Sequence, residues 1–365
     1  MKMINKKLLA VVISVLSLYV PVRAQVDSNI GHFWTDRSYF NPAYLVPAFH
    51  FSLDARKQQM FWGNHTLGGQ PFTSAVNVTW FLHKPGIQLG AHVKYDRAGY
   101  TNLSKADASF AYGVGVDDRV NFGLSCGISY FYYDVSQVKV DDDNDEWAYN
   151  LDRTIHPNYN VGVEWIHKVQ RRMENADEFT LGTSALNLED FNSHNYNRTT
   201  VNKFLLYSSY RLCTNMSMTD FLSGGSKFFD FYCGGLVMYY DKDKVTIDDG
   251  RTQADLHFSV ILVDRDKDFN TSSYNNFLNR GNVDRMALGV SLRHNLTGAG
   301  WADIVPNLGL AVPGTSFYIG YCCDMVVRDD LGAPRTSHEI FIEYKYRNKH
   351  CLTPDNQAYR LLGGK

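Results

Sequence analysis

The sequence predicts an all-β protein: a transmembrane antiparallel β-barrel of about 14 strands, following a cleaved signal peptide. Three observations carry that prediction. The first is alternation over Phe72–His83, where Phe72, Val76, Val78, Trp80 and Leu82 share one parity while Thr73, Asn77, Thr79 and His83 hold most of the other. After Lys84-Pro85-Gly86 the pattern resumes, with Ile87, Leu89, Ala91, Val93 and Tyr95 set against Gln88, Gly90, His92, Lys94 and Asp96. Side chains of a strand alternate between faces, so this stretch is a hairpin with one apolar and one polar face. The second is recurrence of the same pattern along the chain, an even number of times, as closed barrels generally require. The third is composition: aromatic residues make up 14%, with 23 Tyr and 22 Phe, which suits the aromatic girdles of a bilayer interface. A soluble sandwich would also alternate. Yet no stretch after the N-terminal one offers about 20 uninterrupted apolar residues, so insertion into a membrane would require a closed barrel.

The elements follow in order. Residues 1–24 read as a signal peptide: Lys2, Lys6 and Lys7 precede the apolar run Leu8–Val20, and Val22-Arg23-Ala24 offers a cleavage site before Gln25. No Cys follows that site, so no lipoprotein anchor is indicated. Residues 25–47 form a periplasmic lead-in containing Tyr39-Phe-Asn-Pro-Ala-Tyr44, where Asn-Pro favours a turn and the tyrosines can pack it against a wall. The barrel occupies 48–347, with strands near 48–57, 72–83, 86–96, 105–116, 119–134, 157–168, 178–187, 202–212, 227–241, 252–263, 284–294, 304–312, 315–324 and 338–347. The segment 304–312 is the weakest because Pro306 and Pro313 limit its ladder. Residues 348–365 continue as a C-terminal tail. Lys94 and Lys345 should face inward, since a lysine facing lipid at the bilayer midplane costs about 2–4 kcal/mol.

Connection lengths add a test. With the processed N-terminus in the periplasm, odd-numbered connections are extracellular and should be the longer ones. The second, fourth and twelfth are short (Lys84-Pro85, Asp117-Asp118, Pro313-Gly314), and the third, fifth and thirteenth are longer, above all Asp134–His156. Two connections break the rule, Thr214–Lys227 and Asp264–Asp284.

Several function classes find no support. A formal net charge of −2 argues against a nucleic-acid partner held by bulk charge. Cys126, Cys213, Cys233, Cys322, Cys323 and Cys351 lack metal-ligand spacing, adjacent Cys322 and Cys323 must point to opposite faces, and no disulfide pairing can be assigned. Asp141–Glu146 could offer oxygens to Ca²⁺ but lacks the glycine turn and the spaced terminal Glu, so it reads as a solvated loop. Arg171-Arg172 reads as a solvated turn. His32, His50, His65, His83 and His92 cluster in the N-terminal third, but no Gly-x-Ser-x-Gly elbow accompanies them and none is paired with a Ser in the sequence. No enzyme, cofactor or metal is expected.

An ordered set of motifs resembles the PorP/SprF family of outer-membrane proteins of the type IX secretion system. It comprises Tyr39-Phe-Asn-Pro-Ala-Tyr44, Arg56-Lys-Gln58, Gly69-Gln-Pro71, Ile87-Gln-Leu-Gly90, Pro157-Asn-Tyr-Asn-Val-Gly162, Phe179-Thr-Leu-Gly182 with Leu186-Asn-Leu188, and Ser337-His-Glu-Ile-Phe-Ile-Glu-Tyr344. Departures are Gln58-Gln59 where the family has Gln-Trp, and Leu45-Val46 where it has Ala-Gly. The match is loosest over 191–282. The resemblance implies an integral outer-membrane, non-enzymatic barrel serving secretion. Its implied partners are periplasmic ring or lipoprotein components, the C-terminal domain of a large secreted adhesin, and outer-membrane lipid. The motif residues Tyr39, Asn41, Pro42, Ala43, Tyr44, Arg56, Gln58, His338 and Glu339 are candidates for plugging or bracing the lumen, or for contacting a partner. The alternative reading is a porin or hydrophobic-solute transporter.

Overall fold

The structure, a computed structural model, describes residues 33–46, 49–60, 72–82, 86–98, 101–115, 118–133, 154–170, 176–188, 202–219, 226–241, 252–264, 283–296, 302–312, 315–328 and 335–346. The signal peptide, the C-terminal tail, Cys351, the acidic run at 141–146, Arg171-Arg172, His32, His65 and His83 lie outside the described residues. Fourteen strands follow one another: β1 (Phe49–Met60), β2 (Phe72–Leu82), β3 (Ile87–Ala98), β4 (Thr101–Val114), β5 (Asp118–Tyr133), β6 (Thr154–Gln170), β7 (Ala176–Leu186), β8 (Asn202–Thr219), β9 (Ser226–Asp241), β10 (Thr252–Asp264), β11 (Val283–Asn295), β12 (Ala302–Ala311), β13 (Phe317–Arg328) and β14 (Arg335–Tyr346). Each pairs antiparallel with its neighbour in the chain, and β1 closes onto β14 from Phe49↔Tyr346 to Met60↔Arg335. Closure leaves no strand edge unpaired, which is how a sheet satisfies its backbone in lipid.

The two parities divide as the alternation requires. Trp80 is 62% exposed and Leu124 59%, whereas Asn77 and Asn121, on the opposite parity of the same strands, are 0% exposed. Val93, Ile128, Phe258 and Ile340 continue the outer apolar surface. Lys94 lines a lumen cavity, and Lys345 pairs with buried Glu343 at 2.6 Å, so both ammonium groups point inward. Cys322 is buried while its neighbour Tyr321 is exposed; all five described cysteines are free thiols.

Two expectations about connections are corrected. The third shrinks to 99–100, because Thr101–Ser104 continue the ladder against β3 and β5. The eighth shrinks to 220–225, because β8 runs on to Thr219 past a register shift between Cys213 and Ser217; a bulge of this kind lets a strand continue past a break in pattern. The tenth connection, 265–282, remains long and lies outside the described residues. At β12 the anticipated weakness is visible: Pro306 aligns with Val290 of β11, but pairing to β13 is interrupted between Ile304 and Asn307.

Candidate functional site in the barrel lumen

The described part of the lead-in, residues 33–46, lies inside the barrel. Its side chains meet the inward parity of strands around most of the wall. Phe33, Phe40, Asn41 and Ala43 are buried. We call this segment the plug.

Its local shape follows from its sequence. The carbonyl of Asn41 accepts a hydrogen bond from the Tyr44 N–H at 3.0 Å, and Asn41 Oδ1 accepts one from the Ala43 N–H at 2.9 Å. Proline after the first turn residue fixes φ where a turn needs it, and the Asn side chain copies a backbone acceptor. The motif Asn41-Pro42-Ala43-Tyr44 is thus a self-braced turn. One residue group upstream, the carbonyl of Arg37 accepts from the N–H groups of Phe40 and Asn41.

The wall is shaped to receive this turn. A side chain at Gly123 would collide with Pro42 and Ala43, one at Gly162 with the Asn41 amide, and one at Gly234 with the Trp34 ring. These glycines occupy lumen positions where the plug approaches the sheet. Around Phe33 an apolar cluster forms from Phe40, Ala75, Leu186, Leu205, Tyr207, Leu236 and Met238, and Phe33 packs edge-on against Tyr207 at 5.3 Å. Trp34 stacks on His257 at 5.4 Å.

Charge completes the seat. Glu164 is fully buried and accepts from Tyr207 Oη at 2.9 Å and Asn121 Nδ2 at 3.2 Å, while Arg37 Nη2 stands 3.4 Å from it. Tyr207 Oη in turn accepts from Asn41 Nδ2 at 3.0 Å. The Arg37 guanidinium also lies over the Tyr44 ring at 4.9 Å. Burial disfavours the charge on Arg37, but Glu164 together with Tyr207, Tyr232 and Tyr44 outweighs it and holds the guanidinium more firmly protonated than usual. On the other side, Asp36 accepts from Ser38 and Ser52 at 2.6 Å each. Burial opposes its ionisation, yet nearby His50 and these donors hold its carboxyl below the ordinary range. Burial pushes the Tyr44 phenol up to about 12. Val46 N–H donates to Gln88 Oε1 at 2.7 Å, tying the end of the plug to β3.

The sequence-predicted site residues therefore separate. Tyr39, Asn41, Pro42, Ala43 and Tyr44 stand together in the plug. Arg56 and Glu339 face each other across the β1–β14 ladder, Glu339 is buried, and Arg56 binds Asp324 at 2.8 Å. Gln58 aligns with Ser337, and its side chain lies outside the described residues. His338 takes the opposite face, 2.7 Å from the Tyr321 hydroxyl with the rings stacked, away from the plug. Sequence reasoning missed Phe33, Trp34, Asp36, Arg37 and their wall partners. The available signal was in β8 and β9, where Phe204-Leu-Leu-Tyr207 and Leu236-Val-Met-Tyr239 are apolar on both parities. Strands that are apolar on the lumen side as well need something to bury it.

The barrel also makes Ser–His contacts that the sequence did not show: His92 Nε2 lies 2.9 Å from Ser109 Oγ and His257 Nδ1 2.8 Å from Ser291 Oγ. His92 Nδ1 is buried with no hydrogen-bond partner, so no group orients that ring as a general base requires. Among the described residues, no group of three or more His, Cys, Asp or Glu side chains is arranged to hold a metal.

A family model described as the type IX secretion system membrane protein PorP/SprF matches residues 22–344. The chain belongs to the PorP/SprF family. It is therefore an integral outer-membrane protein. No curated protein matches this PorP/SprF chain. Among solved structures, the Ralstonia pickettii toluene transporter TbuX is similar at 10% identity, with 85% of this chain and 93% of that one covered and a TM-score of 0.44. The CymD monoaromatic hydrocarbon channel is similar at 9% identity, with 91% and 98% covered and a TM-score of 0.45. BamA from Haemophilus ducreyi, lacking POTRA domains 1–3, is similar at 9% identity, with 82% and 70% covered and a TM-score of 0.40.

Proposed function

We propose that this PorP/SprF protein is a plugged, non-catalytic platform that supports export or surface anchoring of secreted proteins. The barrel is the membrane anchor. Its extracellular loops would hold a secreted protein such as the C-terminal domain of a large adhesin, and its periplasmic turns would dock ring or lipoprotein components of the secretion system. The observation that carries this reading is the plug: a lumen occupied by the protein's own buried Phe33–Val46 segment suits a platform better than a solute path.

The test is a mild-detergent pull-down of tagged protein from native outer membranes, with co-purifying proteins identified by mass spectrometry. The platform predicts stable recovery of secretion-ring subunits or a large surface adhesin. Recovery of the barrel alone, together with solute flux through it in planar bilayers, would replace the platform with a channel.

A further inference from the structure

The outer face of the barrel meets hydrocarbon, and a patch on β13 and β14 breaks its apolar character. Tyr321 and His338 point outward there, with His338 Nδ1 2.7 Å from Tyr321 Oη and the two rings stacked. Cys323, the ladder partner of His338, shares that face. The depth of the patch follows from the strand ends. Phe317 opens β13 and packs on Tyr344 of β14 with ring centroids 4.9 Å apart, forming part of the aromatic rim beside a short turn. Cys323 and His338 each lie six residues along their strands from that pair. At the usual strand tilt this is about 15 Å of height, the middle of an apolar band about 25 Å tall. Leu308, Ile319, Met325 and Ile340 around them are exposed and apolar.

Lipid cannot satisfy this patch. A phenol and an imidazole joined by one hydrogen bond keep one unused donor and one unused acceptor, whichever of them donates. If Tyr321 donates to Nδ1, the His338 Nε2–H and a Tyr321 lone pair remain; in the other tautomer, the Tyr321 O–H and a bare Nε2 remain. His338 has no second partner among the described residues. The Cys323 thiol also reaches Tyr321, but a thiol is a weak partner in either role. The ladder fails at the same place. Pro306 has no N–H to donate, and between Ile304 and Asn307 the pairing of β12 to β13 is missing, so the Cys323 carbonyl loses its donor where lipid offers none. By contrast, Thr183 on the outward parity of β7 donates to the Leu205 carbonyl at 2.9 Å and is satisfied within the sheet.

We propose that this face is the contact surface of a homodimer, in which β12–β14 of one barrel meets β12–β14 of a second copy across a two-fold axis along the membrane normal. Such an axis keeps every residue at its own depth, so a donor meets only an acceptor of equal depth. Tyr321 and His338 supply both from stacked rings at one depth. His338 of each copy therefore bonds to Tyr321 of the other, and the contact forms twice. A different membrane protein would have to bring its own donor and acceptor to that depth, whereas this chain already carries them. The surface lies away from the plug and the loops and stands independently of the platform role.

The test is cross-linking with a short bismaleimide, applied to the full-length protein in native outer membranes and in phospholipid vesicles at serial protein-to-lipid ratios. Cys323 stands beside the proposed axis, so a product of twice the mass is expected. It should be lost in Cys323→Ser and kept in Cys126→Ser and Cys233→Ser, whose exposed thiols lie elsewhere on the wall. The protein-to-lipid ratio at half-maximal cross-linking should rise about tenfold in His338→Leu or Tyr321→Phe, as loss of paired hydrogen bonds in lipid implies. Absence of the twice-mass product in vesicles overturns the proposal, as does its survival in Cys323→Ser. A Cys323-dependent product of another mass in native membranes identifies a different protein as the occupant and also overturns it. Heat-modifiable gel migration reports whether each variant is folded. If the polar variants do not fold, Ile340→Trp keeps every polar group and blocks close approach, and cross-linking unchanged in that variant overturns the surface.

Discussion

Glu164 is where single residues matter most, because one buried carboxylate collects Arg37 from the plug and Tyr207 and Asn121 from the wall. Removing one partner of a buried ion pair leaves the other charge uncompensated, at a cost of about 3–5 kcal/mol, while replacing both by apolar groups costs much less. Arg37→Met should therefore lower the melting temperature of the detergent-solubilised barrel more than the Arg37→Met/Glu164→Leu pair does, and a double-mutant cycle by thermal melting measures that coupling. Gly162→Leu should expel the Asn41 turn while leaving the strand ladder intact; limited proteolysis would then cut the plug in a barrel that still shows heat-modifiable migration. Asp36 gives a pH dependence. Its folded pKa lies below the ordinary 3.8, so its contribution is complete above that value and is lost as the pH falls through the lower folded value. Plug opening, read as single-channel conductance, should rise below about pH 4 in the wild type. Asp36→Asn should lose that acid step and conduct more at neutral pH. Of these residues only the Asn41-Pro42 turn was legible in the sequence, because its bonds are local. Arg37 and Glu164 stand 127 residues apart in the chain, and nothing but closure of the barrel brings them together.

The plug is an element without secondary structure, and the wall supplies its order. Its two phenylalanines enter an apolar patch on the lumen side of β7, β8 and β9, and burying a large apolar side chain is worth about 1.5–3 kcal/mol. The strands themselves pair only with strands: every ladder from β1 to β14 forms without a plug residue in it. Deleting residues 33–46 should therefore leave a folded barrel with a conducting lumen, read as a larger and steadier conductance in planar bilayers than the full chain gives. An unchanged conductance would mean that something other than the plug closes the lumen. The strands were legible because alternation is periodic and lipid penalises every departure from it. Their ends were less so: Thr101–Ser104 and Ser217–Thr219 belong to ladders although their residue types suggest turns, since a partner strand already in place extends pairing past the local pattern. The motif residues of the lead-in read as plugging or bracing the lumen, but a sequence carries no mark of which wall positions an aperiodic segment meets.

For the whole molecule, function depends on which end carries which surface. The described ladders put connections 83–86, 115–117, 171–175, 220–225, 265–282 and 312–316 at one end, all short but 265–282, and 61–71, 99–100, 134–153, 187–201, 242–251, 296–301 and 329–334 at the other, where 134–153 and 187–201 are the longest. Short turns are generally periplasmic in outer-membrane barrels, and the proposed platform accordingly takes the end carrying 134–153 as extracellular. The boundary of the largest loop now dictates how it should be cut. β6 begins at Thr154, and Ile155 and His156 already pair with Tyr130 and Ser129, so a deletion reaching His156 would remove ladder positions as well as loop. Deletion of 134–153 with a short glycine linker spares every described pair. Such a variant should insert and migrate as a closed barrel, because the strand register carries the membrane fold. On the proposed platform role, extracellular adhesin should disappear from its pull-down while periplasmic ring subunits remain, because that proposal docks them at the opposite end. Loss of both partners would mean that the loop acts through the barrel as a whole, and retention of both would move the extracellular contact to 187–201. The two ends of one closed sheet are thereby separated by a single measurement.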